Sequence, residues 1–139
     1  MAGRLQWDGD RVQAAIRAEM GRRIGAACVL VLNRARALIS VAGTIKGEAG
    51  RDAKGRFIRQ YDSNPSAPGE PPHKQTGTLR RSVAREVDAA SLRGRVGTNL
   101  KYGRWLELGT QRMAARPWLR RALAECAVAI RAIFTRPMT

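Results

Sequence analysis

A chain of 139 residues with 26 Lys plus Arg against 11 Asp plus Glu carries a formal charge of +15. That length predicts one domain with a modest core, and the charge predicts a surface that meets something negative or bears its own repulsion. Nucleic acid and an acidic protein are the two destinations it suggests. The opening MAGRLQWDGD lacks the apolar stretch of a signal peptide, and no run is long enough to cross a membrane, so cytoplasmic synthesis and no membrane partner are expected. Cys28 and Cys126 lie far apart in apolar helical contexts, without CxxC or Cys/His spacing, and read as buried thiols.

Asp8 or Asp10 can cap a first helix whose apolar positions run Val12, Ile16, Met20, Ile24, Cys28, Val31, Ala35 and Leu38, with Arg17, Arg22, Arg23, Arg34 and Arg36 on its other side. Gly21 and Gly25 mark a bend or a close contact. From Cys28 to Leu32 the helix is apolar nearly all round, which suggests a second contacting element: either another subunit, with Cys28, Val31 and Leu32 as an assembly face, or burial within the same domain.

From Ser40 to Gln75 the periodicity fades among glycines and prolines, and a flexible or partner-ordered arm is expected over 40–75. Arg56 to Tyr61 alternates loosely and reads as a strand or hairpin arm, with Phe57, Ile58 and Tyr61 as anchors for assembly. Ala67 to Pro72 is too poor in apolar groups to make core, and its prolines fit either a preshaped docking arm or a stiff exposed connector.

Thr76 or Thr78 can cap a short turn containing Leu79, after which Ser82 to Val87 and Leu92 to Gly97 read as two strands reversed at Asp88 to Ser91. The two glycines make the returning strand the weaker one. Next comes YGRWLELGTQRMAARPWLRRAL, Tyr102 to Leu123. Trp105, Leu106 and Leu108 can form the apolar side of a helical turn, Gly109-Thr110 redirects the chain, and Pro117 opens a helix whose apolar positions recur from Trp118 to Phe134. Tyr102, Trp105, Glu107, Gly109, Thr110, Arg116, Pro117 and Trp118 are thus expected to form a structural clasp. A buried Glu107 needs a partner, and Arg104 or Arg116 is the expected one. The chain is read as a single α+β domain over 1–139: a long N-terminal helix and a C-terminal helix packed on a small antiparallel sheet, with the arm between the first helix and the sheet.

Candidate chemistry is sparse. His73 is the only histidine and lies beside prolines without converging ligands, Ser82 has no nucleophile-elbow context, and no phosphate loop, acid pair or zinc spacing is present. No catalytic, cofactor or metal residue is assigned.

The segments SAPGEPPHKQTGTLRRSV, Ser66 to Val83, and VGTNLKYGRWLELGTQRMAARPWLRRAL, Val96 to Leu123, resemble the HK97 gp10-like family of tailed-phage morphogenesis proteins. The matching positions are Pro68, Gly69, Pro71 and Pro72; Thr76, Gly77, Leu79 and Ser82; Val96, Gly97 and Thr98; Tyr102; Glu107, Gly109 and Thr110; and Ala115, Arg116, Pro117, Trp118 and Leu119. Trp118 stands where phenylalanine is common and Leu108 where an aromatic often stands. The resemblance implies a non-enzymatic, hexameric ring component: a tail-completion, neck or minor tail protein at the head-tail joint or the head-proximal end of the tail. It would be located in the virion after synthesis in the bacterial host, with tail-tube, tail-terminator or head-connector proteins as partners; the charge of +15, rather than the resemblance, suggests nonspecific contact with passing DNA. The alternative is a small basic, sequence-independent DNA-binding protein, although the aromatic residues are not interleaved with Arg as a stacking platform requires.

Overall fold

Residues 9 to 38 contain no proline and are rich in Ala, Arg, Leu and Val, and they form one helix, α1 (Gly9–Leu38). Its inward positions Cys28, Val31, Leu32 and Ala35 recur three or four apart, and Ile39 continues the buried row just past its end. In the computed structural model the described residues are 8–42, 50–51, 54–55, 57–58 and 66–138. Along this chain follow β1 (Gly50–Arg51), β2 (Phe57–Ile58), α2 (Thr78–Ser82), β3 (Ala84–Asp88), β4 (Arg93–Gly97), α3 (Lys101–Leu108) and α4 (Leu119–Thr135). The fold is α+β as expected, with α1 and α4 packed together and α1 also lying on the β3–β4 sheet.

β3 and β4 are antiparallel, with Arg85 opposite Val96, Glu86 opposite Arg95 and Val87 opposite Gly94. The hairpin reverses through Asp88, whose carboxylate accepts from the backbone N–H of Ala90 and Ser91 at 3.0 and 3.3 Å and from the Ser91 hydroxyl. These local bonds hold the Asp88 carboxyl below its ordinary value, the Ser91 hydroxyl contributing most. Gly94 explains the weaker strand signal. A Cβ there would lie 2.4 Å from Cys28 Sγ and 2.7 Å from an Ile24 methyl carbon, so β4 can approach α1 only without a side chain at that position.

The core joins Val31, Leu32, Ala35 and Ile39 of the first helical segment to Leu79, Val83, Trp118, Ala122 and Cys126. Both cysteines are free and buried, and burial raises the Cys28 thiol above its ordinary value. β1 and β2 form a separate two-stranded antiparallel pair, Gly50 opposite Ile58 and Arg51 opposite Phe57, where the sequence pattern places a hairpin arm.

Several expectations need correction. Asp8 occupies the N-cap position of α1, but no side-chain hydrogen bond caps the helix. Val12 and Ile16, read as the start of the inward row, are exposed along with the rest of residues 11–18, because the sheet and α4 meet α1 only farther along. Gly21 does mark a close contact, with Ala89 in the hairpin turn. At α2 the N-cap is Gly77 in a left-handed conformation, while the Thr76 hydroxyl accepts from the Thr78 N–H at 3.4 Å.

Candidate functional site

α3 presents Gly103, Leu106 and Glu107, spaced three and one apart, toward the body of the protein. Glu107 is 13% exposed, and its carboxylate reaches the start of α4: Oε2 accepts from the N–H groups of Trp118 and Leu119 at 2.8 and 2.9 Å, and Oε1 from that of Arg120 at 2.9 Å. α4 has no acidic residue in its first turn and no cap of its own. Glu107 therefore satisfies three donors that the helix geometry leaves orphaned, and places a negative charge at the positive end of the helix dipole. The expected Arg104 or Arg116 partner is replaced by backbone. Arg120 lies 3.8 Å from Oε1, but its side chain is 71% exposed and the pair adds little.

The turn between α3 and α4 is fixed as tightly. Gly109 sits at φ 75 and ψ 176, a region suited to glycine, and a Cβ there would meet Ala115 N at 2.8 Å and Met113 O at 2.9 Å. Thr110 and Met113 exchange backbone bonds at 2.8 and 3.3 Å, and Arg116 N–H donates to Leu106 O at 2.7 Å. Trp118 is 1% exposed, and its indole N–H donates to Gly103 O at 3.3 Å.

The far end of α4 is held by a residue that the sequence pattern assigns to the outer side of α1. Arg23, 7% exposed, donates to Phe134 O at 3.1 Å and Pro137 O at 3.2 Å, while its Nε donates to Glu19 Oε1 at 2.8 Å. The only local signal is the Glu19 to Arg23 spacing of four. Bonds from Arg23 first, then Arg22, hold the Glu19 carboxyl below its ordinary value. Between these ends Glu125 bridges Arg34 of α1 and Arg121 of α4, and the Arg34 bond is the larger cause of its lowered pKa.

The proline-rich approach is docked on the protein itself. Gly69 N–H donates to Ala115 O at 3.0 Å, Lys74 N–H to Val41 O at 2.7 Å, and Ser66 and Pro72 are buried. Gly69 and Lys74, within the arm expected over 40–75, are thus bonded to the body of the protein. A cavity of about 460 Å³ remains between this approach and the clasp, lined in part by Pro72, His73, Tyr102, Trp105, Met113 and Arg116. The Arg116 Nε is buried there without a hydrogen-bond partner.

The structure therefore brings Glu107, Gly109, Thr110, Arg116, Pro117 and Trp118 into one packed turn, with Tyr102 on the cavity wall. It does not bury Trp105 or Leu108, each 53% exposed, because the inward side of α3 is taken by Leu106 and Glu107. Cys28, Val31 and Leu32 are covered by the same chain rather than presented as an assembly face. Phe57 and Ile58 lie on β2, and Tyr61 lies outside the described residues.

Among the described residues no group of three His, Cys, Asp or Glu side chains could hold a metal ion, and no helix is long and apolar enough to cross a membrane. No protein-family model matches the chain, and no curated protein or solved structure shows significant similarity to it.

Proposed function

We propose that the chain is a non-enzymatic structural subunit of a head-tail connector or tail-completion ring in a tailed phage, a prophage or a related particle. In this reading it is hexameric when assembled, made in the host cytoplasm and carried in the virion. The observation behind it is that the motifs of the family resemblance, dispersed from Pro68 to Leu119, meet in one packing unit. Gly69 bonds Ala115, Ser82 and Thr98 share a hydroxyl contact at 2.6 Å, and Glu107 bonds the backbone of Trp118 and Leu119. Residues so used specify a fold rather than a reaction.

A closed ring needs two different surfaces that meet across each subunit boundary. The chain offers exposed apolar side chains on two elements: Val12 and Ile16, one turn apart on α1, and Leu123 and Val128, the latter 79% exposed, on α4. The stretch from Ser40 to Gln75 serves as the arm that fastens onto a neighbouring subunit, and tail-tube, tail-terminator or head-connector proteins are the other partners.

The test is electron microscopy and mass measurement on tailed particles carrying the intact chain or a deletion of residues 44–62. A six-fold ring in the intact particle, and failure of heads to join tails after the deletion, are expected. The chain present only as isolated monomers would refute the ring; normal rings and normal joining after the deletion would refute the arm.

A further inference from the structure

Several helical arginines face carboxylates, as Arg22 and Arg23 face Glu19 within α1, Arg121 faces Glu125 within α4, and Arg34 of α1 reaches Glu125 across to α4. One cleft departs from this pattern. The end of α1, the docked approach and α2 bring Arg36, Lys74, Arg80 and Arg81 together beside the buried Gly77, around a space of about 430 Å³ with no acidic residue in its lining. Among the described residues, none of these cations forms a salt bridge. Lys74 and Arg81 are drawn close: a point one bond above the Gly77 Cα lies 3.2 Å from Lys74 Cε and 3.8 Å from an Arg81 guanidinium nitrogen.

The cleft is also built rather than incidental. Arg36 is fixed by a 2.7 Å bond from its guanidinium to Val83 O, yet its Nε is buried without an acceptor. Lys74 is fixed through its backbone, which bonds Val41 O at 2.7 Å and makes a parallel bridge with Ala42. Like charges held together on anchored backbone raise the energy of the empty cleft, and a multiply charged anion relieves it. Guanidinium forks match phosphoryl oxygens in geometry as well as charge.

We propose that Arg36, Lys74, Arg80 and Arg81 form a binding site for phosphoryl oxyanions, such as those of a free polyphosphate or of successive phosphodiesters in a nucleic-acid backbone. The site does not depend on the ring reading, and the isolated chain is sufficient to test it.

The probe is tripolyphosphate, titrated calorimetrically into the full chain at low salt, with three proteins compared: the parent, Arg80→Gln/Arg81→Gln, and a control of equal charge, Arg11→Gln/Arg17→Gln, on the distant exposed part of α1. Saturable binding by the parent, weakened about ten-fold or more by the cleft pair and less than about two-fold by the control, is expected. Lys74→Gln, which leaves α2 intact, is expected to weaken binding in the same direction. Displacement of the probe by a random-sequence duplex assigns the site to nucleic-acid backbone, with a salt slope that falls by about 1 to 2 in the cleft variant; failure to displace assigns it to free polyphosphate. No saturable binding by the parent, or equal weakening by both variant pairs, overturns the proposal.

Discussion

Glu107 and Arg23 stand at opposite ends of α4 and cap it, the carboxylate on the N-terminal N–H groups and the guanidinium on the Phe134 carbonyl of the last turn and on the Pro137 carbonyl just beyond it. The helix supplies neither charge from its own terminal turns. Glu107→Ala leaves three donors without an acceptor and is expected to cost about 1 to 3 kcal/mol, and Arg23→Ala a similar amount. The two ends of this 17-residue helix lie about 25 Å apart, so the double variant should lose the sum of the single losses to within about 0.5 kcal/mol. Urea unfolding of the four proteins measures the cycle; a coupling well above that would show that the caps act through one shared rearrangement.

Trp118→Ala removes a side chain that is 1% exposed and packed in the core, and is expected to cost about 3 to 5 kcal/mol. Denaturant midpoints at fixed protein concentration measure it. A loss below about 1 kcal/mol would place Trp118 outside the core.

Gly109→Ala and Gly94→Ala test the two tight approaches by different routes. At Gly109 the new methyl meets backbone atoms at a positive φ, and at Gly94 it meets the Cys28 sulfur. Both are expected to destabilise, by about 1 to 3 kcal/mol. Only Gly94→Ala should be partly rescued by a smaller partner, in Gly94→Ala/Cys28→Ala. Thermal unfolding of the single and double variants decides.

Glu125 titrates below its ordinary value of 4.5 because Arg34, then Arg121, bond its charged form. The sign follows from linkage: a carboxyl with a depressed folded pKa contributes stability above its unfolded value and loses it as pH falls through the folded one. Stability should therefore decline below about pH 4.5, and Glu125→Gln should make that decline shallower while leaving the slope near neutrality unchanged. Urea midpoints from pH 3 to pH 7 measure this, with Glu19 and Asp88 contributing in the same direction.

The sequence made the strongly periodic elements legible. The three- and four-residue spacing of Cys28, Val31, Leu32 and Ala35 marks the buried side of α1, and the Gly109 and Pro117 signals mark the turn between α3 and α4. The cost of burying Glu107 was equally visible. Its partner was not, because backbone N–H groups leave no trace in side-chain identity. Arg23 stayed hidden for the opposite reason: an arginine on the polar side of a helix reads as solvated until a second helix end arrives over it. Trp105 and Leu108 look inward locally, but tertiary packing selected Leu106 and Glu107 instead.

The position of α4 also bears on how the protein comes into being. Val31, Leu32 and Ala35 are covered by Trp118, Ala122 and Cys126, residues that leave the ribosome long after α1 is complete. Until then the side of α1 that α4 covers stays bare, with only Leu79, Val83 and the β3–β4 hairpin to pack on the helix, and Arg23 lacks the carbonyls it bonds in the folded protein. A chain stalled before Trp118 should stay sensitive to protease and occupied by chaperones, and protection should arrive in one step when α4 emerges, rather than growing as each element is made.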